Sequence, residues 1–241
     1  VRMLVFDRGS ATLAGEIPHA STVSDLLIAG DTLWLAAVSR DLSSSIEVQR
    51  PGQPPEHGGP VPAEYFENNA YFGFNPYAYL APAGDGWLYL AFAGRNEIYR
   101  VNPARGGLDT IDVPRRLRRG VPPDIVERMR EASLSARAAS LSTVADIHAL
   151  RDGGLAIVHQ DLTIEGTMPA AHITAELYHT LLDRAGEAVC VDLPVPVADV
   201  AWPRPAFLGD TLFVLDRRMR GDTLESWVVI YPLPADCGAV H

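Results

Sequence analysis

Cysteine is nearly absent from this chain. Its 241 residues include two, Cys190 and Cys237. They form no metal-ligand spacing, so neither a zinc ribbon nor a disulfide framework is implied. The spacing gives no support to a bridge between them. Cys190, within Ala188-Val189-Cys190-Val191, reads as a buried thiol acting as a small hydrophobe. Long apolar runs are missing as well. None approaches the ~18 residues of a membrane-spanning helix, and no secretory signal is visible. Positive charge is in short supply: 20 Lys and Arg stand against 30 Asp and Glu, a net charge of -10. Such a surface repels phosphate backbones, which argues against nucleic acid as a partner. Signatures of chemistry are also lacking. There is no Gly-Xaa-Ser-Xaa-Gly elbow, no phosphate-binding glycine loop and no local Cys–His nucleophile signature. No catalytic residue, resident metal or cofactor is assigned.

Turn-forming residues, by contrast, are abundant. The chain holds 20 Gly and 19 Pro, and 47% of its residues are hydrophobic, the composition of a turn-rich all-β protein with a sizeable core. Four stretches nearly coincide: Gly30-Asp31-Thr32-Leu33-Trp34-Leu35-Ala36, Gly84-Asp85-Gly86-Trp87-Leu88-Tyr89-Leu90-Ala91, Arg151-Asp152-Gly153-Gly154-Leu155-Ala156-Ile157-Val158 and Gly209-Asp210-Thr211-Leu212-Phe213-Val214-Leu215. Each is a tight polar turn feeding an apolar strand, and a unit that returns four times is a repeat. The strands that follow also recur, as in Ile98-Tyr99-Arg100-Val101-Asn102-Pro103 and Leu181-Leu182-Asp183-Arg184-Ala185-Gly186. One unit is therefore a four-stranded antiparallel meander. The units fall at Val23–Glu64, Asn75–Pro114, Val144–Pro194 and Asp199–Pro234. Val1–Pro18 reads as the last two strands of an earlier unit. With no initiating Met and a strand at its start, the chain is expected to be N-terminally incomplete.

The second strands are apolar on both faces. Leu33-Trp34-Leu35-Ala36-Ala37-Val38 shows no alternation. A sheet with one wet face alternates, whereas a sheet held between two others need not. Sheets stacked radially meet that condition, so the expected fold is an all-β propeller in a single domain spanning 1–241. Two segments break the pattern. The connector Gln53–Phe74 ends in aromatics, including Tyr65 and Tyr71, and long loops of this kind often carry recognition. Pro122-Pro123-Asp124 opens a short helix near 122–138, with Ile125, Met129 and Ala132 on one face, in an insertion spanning 115–143. Just before it, Arg115-Arg116-Leu117-Arg118-Arg119 reads as a solvated linker, though four arginines in five residues also suit an anion or an acidic partner.

The innermost strand of each blade lines the channel of a propeller. Candidates there are Asp25, Tyr77 and Tyr79, Asp146 and His148, and Asp199. Asp25 and Asp146 each lie six residues before their turn aspartate and are equivalent positions. Aspartates that open a strand commonly bond to nearby backbone. His148 and His159 fall on adjacent strands of one blade, where they can face each other, although a lone strand histidine is more often structural.

At these turns and strands the chain resembles bacterial six-bladed β-propellers of the NHL/TolB-like kind. The resemblance implies six blades, of which about four and a half are counted here, and a periplasmic or extracellular setting. An alternative is a five-bladed ring closed by Val1–Pro18. Such propellers host many unrelated functions. A binding platform for a protein, peptide or saccharide is preferred, through the loops and channel mouth, with Asp25, Tyr77, Asp146, His148, Asp199, Tyr65 and Tyr71 as contact residues. The alternative is a Ca-type hydrolase resembling lactonase propellers, with Asp25, Asp146, Asp199 and His148 as ligands and base.

Overall fold

The computed structural model describes residues 2–6, 13–18, 22–39, 41–63, 77–103, 105–122, 142–165, 172–197, 203–220, 223–234 and 237. Every regular element among them is a strand. β1 (Arg2–Phe6) and β2 (Leu13–Pro18) form a two-stranded antiparallel sheet. The first blade is β3 (Thr22–Ala29), β4 (Thr32–Val38), β5 (Ile46–Gln49) and β6 (Glu56–Gly58). The second is β7 (Ala78–Gly84), β8 (Trp87–Phe92), β9 (Glu97–Asn102) and β10 (Gly107–Asp112). The third is β11 (Ser142–Ala149), β12 (Leu155–Glu165), β13 (His172–Leu182) and β14 (Ala188–Pro194). The fourth has three strands, β15 (Arg204–Leu208), β16 (Thr211–Arg220) and β17 (Thr223–Pro232). All are antiparallel meanders in chain order. The helix expected near 122–138 falls on residues 123–141, outside the described residues.

The core lies between the sheets. Ala36, Ile46 and Val48 of the first blade pack on Leu80, Leu90 and Phe92 of the second. The second blade turns Tyr89, Ala91 and Ile98 to Val144, Ile157 and Leu155 of the third. The third turns Val158 and Leu177 to Leu212 and Val214 of the fourth. Consecutive residues of β8 thus point into different interfaces, and both are dry: Leu90 and Ala91 are each 0% exposed. This explains why the second strands do not alternate. Each fully buried Leu, Ile or Phe contributes about 1.5–3 kcal/mol, so the stack of sheets is the main source of stability. The architecture is a four-bladed β-propeller arrangement.

Two expectations are corrected. Among the described residues β1 and β2 pair only with each other, so they do not complete the fourth blade's sheet, and ring closure through a shared blade is not formed. The outward face of the fourth blade accordingly leaves Leu208, Val228 and Ile230 exposed. The cysteines are not free either. Cys190 on β14 and Cys237, beyond the end of β17, form a disulfide with Cα atoms 5.6 Å apart. It sits in an apolar cluster with Leu181, Phe207 and Leu233, at the junction of the third and fourth blades.

Candidate functional site

The first strand of every blade carries one polar side chain at the same level. Asp25 lies opposite Ala36, Tyr79 opposite Ala91, Asp146 opposite Val158 and Arg204 opposite Leu215. Each stands six residues before its turn aspartate, respectively Asp31, Asp85, Asp152 and Asp210. Tyr79 is within electrostatic reach of the other three, and Asp146 is within reach of Asp25. Burial, and then the charges of Asp146 and Asp25, push the Tyr79 hydroxyl far above its ordinary range, while Arg204 works against that shift. Tyr79 and Arg204 were legible from the same offset that relates Asp25 to Asp146. The residue types differ, and that hides the relation.

Asp25 and Asp146 are set by the same device. A β-bulge falls at Ser24 in β3 and at Ala145 in β11, immediately before each aspartate, and a bulge re-aims the side chain that follows. From there the two diverge. Asp25 accepts hydrogen bonds from the Leu26 N–H at 2.7 Å and from the Leu80 N–H at 2.8 Å. Ser24 Oγ donates to the Ala78 carbonyl at 2.7 Å and accepts from the Ala78 N–H at 2.9 Å. Together they stitch the first blade to the second, so Asp25 is spent on structure. Asp146 accepts only from the Ile147 N–H, at 2.8 Å. The equivalents of Ala78 and Leu80 in the fourth blade are Pro203 and Pro205. Proline has no N–H to donate, and Ser24 is replaced by Ala145. One oxygen of Asp146 is thereby left without the backbone donor that Asp25 enjoys.

The consequence is electrostatic. Burial, reinforced by the charge of Asp25, raises the Asp146 carboxyl from 3.8 to about 7, against the single Ile147 hydrogen bond. Below the unfolded pKa both states hold the proton and Asp146 is neutral to stability. Between 3.8 and about 7 the unfolded chain has lost the proton while the folded protein keeps it, so stability falls as pH rises, then levels off. The ceiling is about 4 kcal/mol, and water at this partly accessible carboxyl halves it to about 2 kcal/mol. Asp146→Asn should therefore stabilise the protein at pH 8 and make no difference at pH 3. Urea unfolding at both pH values checks this, and an Asn variant no more stable at pH 8 contradicts the burial argument.

The remaining candidates scatter. Tyr77, immediately before β7, is exposed. His148 stacks on Phe207 with ring centroids 4.9 Å apart and planes at 10°, and burial lowers its pKa, which keeps it neutral. It does not face His159. His148 lies opposite Ala156 and His159 opposite Val144, and the odd separation along β12 puts them on opposite faces. His159 is buried with Nε2 unpartnered, and its pKa is lowered well below 6.5 by burial and by Arg118. Asp199, Tyr65 and Tyr71 lie outside the described residues. Among the described residues no three His, Cys, Asp or Glu side chains gather into a metal-holding group.

The arginine run is solvated only in part: Arg115, Arg116 and Arg119 are exposed, and Arg118 is not. Arg118 is buried and pairs through Nε with Asp192 Oδ1 at 2.9 Å. The backbone N–H groups of Arg116, Leu117 and Arg118 all donate to Asp192 Oδ2. Arg119 N–H donates to Asp161 at 2.9 Å. The anion that Arg118 holds is internal, and through it and the backbone N–H groups beside it the run fastens the segment after β10 to the third blade.

No protein-family profile matches the chain, and no curated protein does. Among solved structures, hydrazine synthase of Kuenenia stuttgartiensis aligns over 93% of this chain and 55% of its own, at 14% identity and a TM-score of 0.48. The GH43 endo-arabinanase from Bacillus licheniformis aligns over 90% of this chain and 96% of its own, at 10% identity and a TM-score of 0.29. The chain thus spans about half the length of the hydrazine synthase chain, 55%. Likeness at this distance carries no statement about activity.

Proposed function

We propose that this protein is a non-catalytic binding propeller that takes a peptide, protein or saccharide group at the channel mouth. The observation that carries the reading is the unequal use of the two equivalent aspartates. Asp25 is consumed by two backbone N–H groups, whereas Asp146 keeps an oxygen open within electrostatic reach of Tyr79, which Tyr77 also reaches. A carboxyl held at a cost to stability is a mark of a functional site. The metal-dependent hydrolase needs several unspent oxygen ligands, and Asp146 is the one carboxylate of the described ring that is not committed. A melt that rises with Ca²⁺ and falls with EDTA would favour that second reading.

The test is a thermal-shift screen of short peptides and oligosaccharides at pH 7. A binder should raise the melting temperature, and Tyr77→Ala and Asp146→Asn should each weaken it about tenfold or more, as loss of a hydrogen bond to a charged group does. Each variant should keep a cooperative melt. If no compound shifts the melt, or if the shift survives in both variants, the channel reading is wrong. Tyr65 and Tyr71 belong to the proposed loop surface and form a second pair for the same measurement.

A further inference from the structure

We infer that the junction of the third and fourth blades binds a ligand through a primary ammonium group, seated on the open oxygen of Asp146. The inference rests on the channel reading and names its ligand class. Its basis is the comparison of two junctions built alike. Between the first and second blades, the Asp25 oxygen turned to the neighbouring blade is filled by the N–H of Leu80, 2.8 Å away. Between the third and fourth, β11 carries the same bulge and the same aspartate, but the bulge residue is Ala145 instead of Ser24, and the positions of β15 equivalent to Ala78 and Leu80 are Pro203 and Pro205. The position lacks one N–H donor, and what fits it is a donor from outside the chain.

A charged amine suits it better than a hydroxyl. Two carboxyls, Asp25 and Asp146, lie within reach of each other, and an ammonium supplies both the hydrogen bond and the countercharge. Tyr79 and Tyr77 stand on the second blade's side, and their rings favour a cation. Arg204 is the single cation of the ring. It sits opposite Leu215, whose face is turned away from the third blade, so its side chain does not occupy the Asp146 seat. Filling the seat should displace the proton that burial holds on Asp146. Affinity is therefore expected to rise from pH 6 until the ligand's own ammonium begins to lose its proton, at about pH 7.5.

The probes are triglycine amide, which carries a free ammonium, and N-acetyl-triglycine amide, which does not. Calorimetry on the intact chain should detect the first, with affinity rising about fivefold from pH 6 to about pH 7.5 and then falling as the probe's own ammonium, with a pKa of about 7.7–8.0, loses its proton. The acetylated form and the Asp146→Asn variant should each lower affinity about tenfold or more. Asp25→Asn serves as a control for general loosening. It should shift the melt and, because the Asp25 charge helps hold the proton on Asp146, move the rise in affinity to lower pH without abolishing binding. Equal binding of the two probes, binding that Asp146→Asn leaves unchanged, or no binding of triglycine amide overturns the inference. A neutral oligosaccharide that binds and is lost in Tyr77→Ala would overturn it too, while leaving the channel reading intact.

Discussion

Asp192→Ala should lower the unfolding free energy by about 4 kcal/mol, a typical cost for breaking a buried, hydrogen-bonded ion pair. Asp192 is 0% exposed. Its carboxylate collects the Arg118 guanidinium and three consecutive backbone N–H groups, and its own N–H donates to Thr180 Oγ1 at 3.3 Å. Removing it deprives a buried guanidinium, whose charge burial already disfavours, of its countercharge and takes the acceptor from three backbone N–H groups. The backbone adds a separate requirement. Asp192 has φ of 51°, a left-handed conformation that Asp and Asn tolerate better than Ala. Asp192→Asn should therefore cost less, about 2 kcal/mol, because it keeps the conformation and one acceptor oxygen. Urea unfolding of the two variants separates the contributions. A loss below about 1 kcal/mol in the alanine variant would mean that the segment after β10 is held by the strands alone.

The contrast between Asp192 and the turn aspartates shows what a sequence displays. Asp31 and Asp152 act within their own hairpins, and the four turn aspartates repeat at a readable interval, although Asp210 also accepts from the Arg151 N–H of the neighbouring blade's turn. The strands they launch are legible for the same reason, and so is the equivalence of Asp25 and Asp146. Asp192 acts on Arg118, 74 residues away. Nothing in Arg115–Arg119 as a string distinguishes an internal latch from a solvated run, because the difference lies in what folds over it. The Cys190–Cys237 bridge is hidden in the same way. Its partners meet only because the fourth blade stacks on the third. The meaning of Pro203 and Pro205 is also relational. Each is an ordinary strand-edge proline until the first junction shows which N–H groups should stand there. His148 and His159 mislead in the opposite direction, since adjacent strands suggest proximity while register and strand parity separate them.

Cys190→Ser, or reduction of the wild type, should cost about 4 kcal/mol, since the bridge spans a sequence separation of 47 and closing a loop of that size restricts the unfolded chain by about this much. For a chain of this length the melt should fall on the order of 10 °C. The loss should not be uniform. Successive blades hold one another by face-to-face packing, and among the described residues the fourth packs through one face, against Val158 and Leu177. The disulfide joins the tail beyond that blade to β14, so it fastens the unit with the fewest buried contacts. Opening it should let the fourth blade separate before the others. Hydrogen exchange in β15, β16 and β17 should then accelerate on reduction, while the first and second blades keep their protection. The Asp146 seat lies at this same junction, opposite Val158, which packs on the fourth blade, and should loosen with it. Reduced protein should bind triglycine amide more weakly than oxidised protein, with Asp146 itself untouched. Equal melting of the oxidised and reduced forms would show that packing around Phe207 and Leu233 suffices to hold the fourth blade in place.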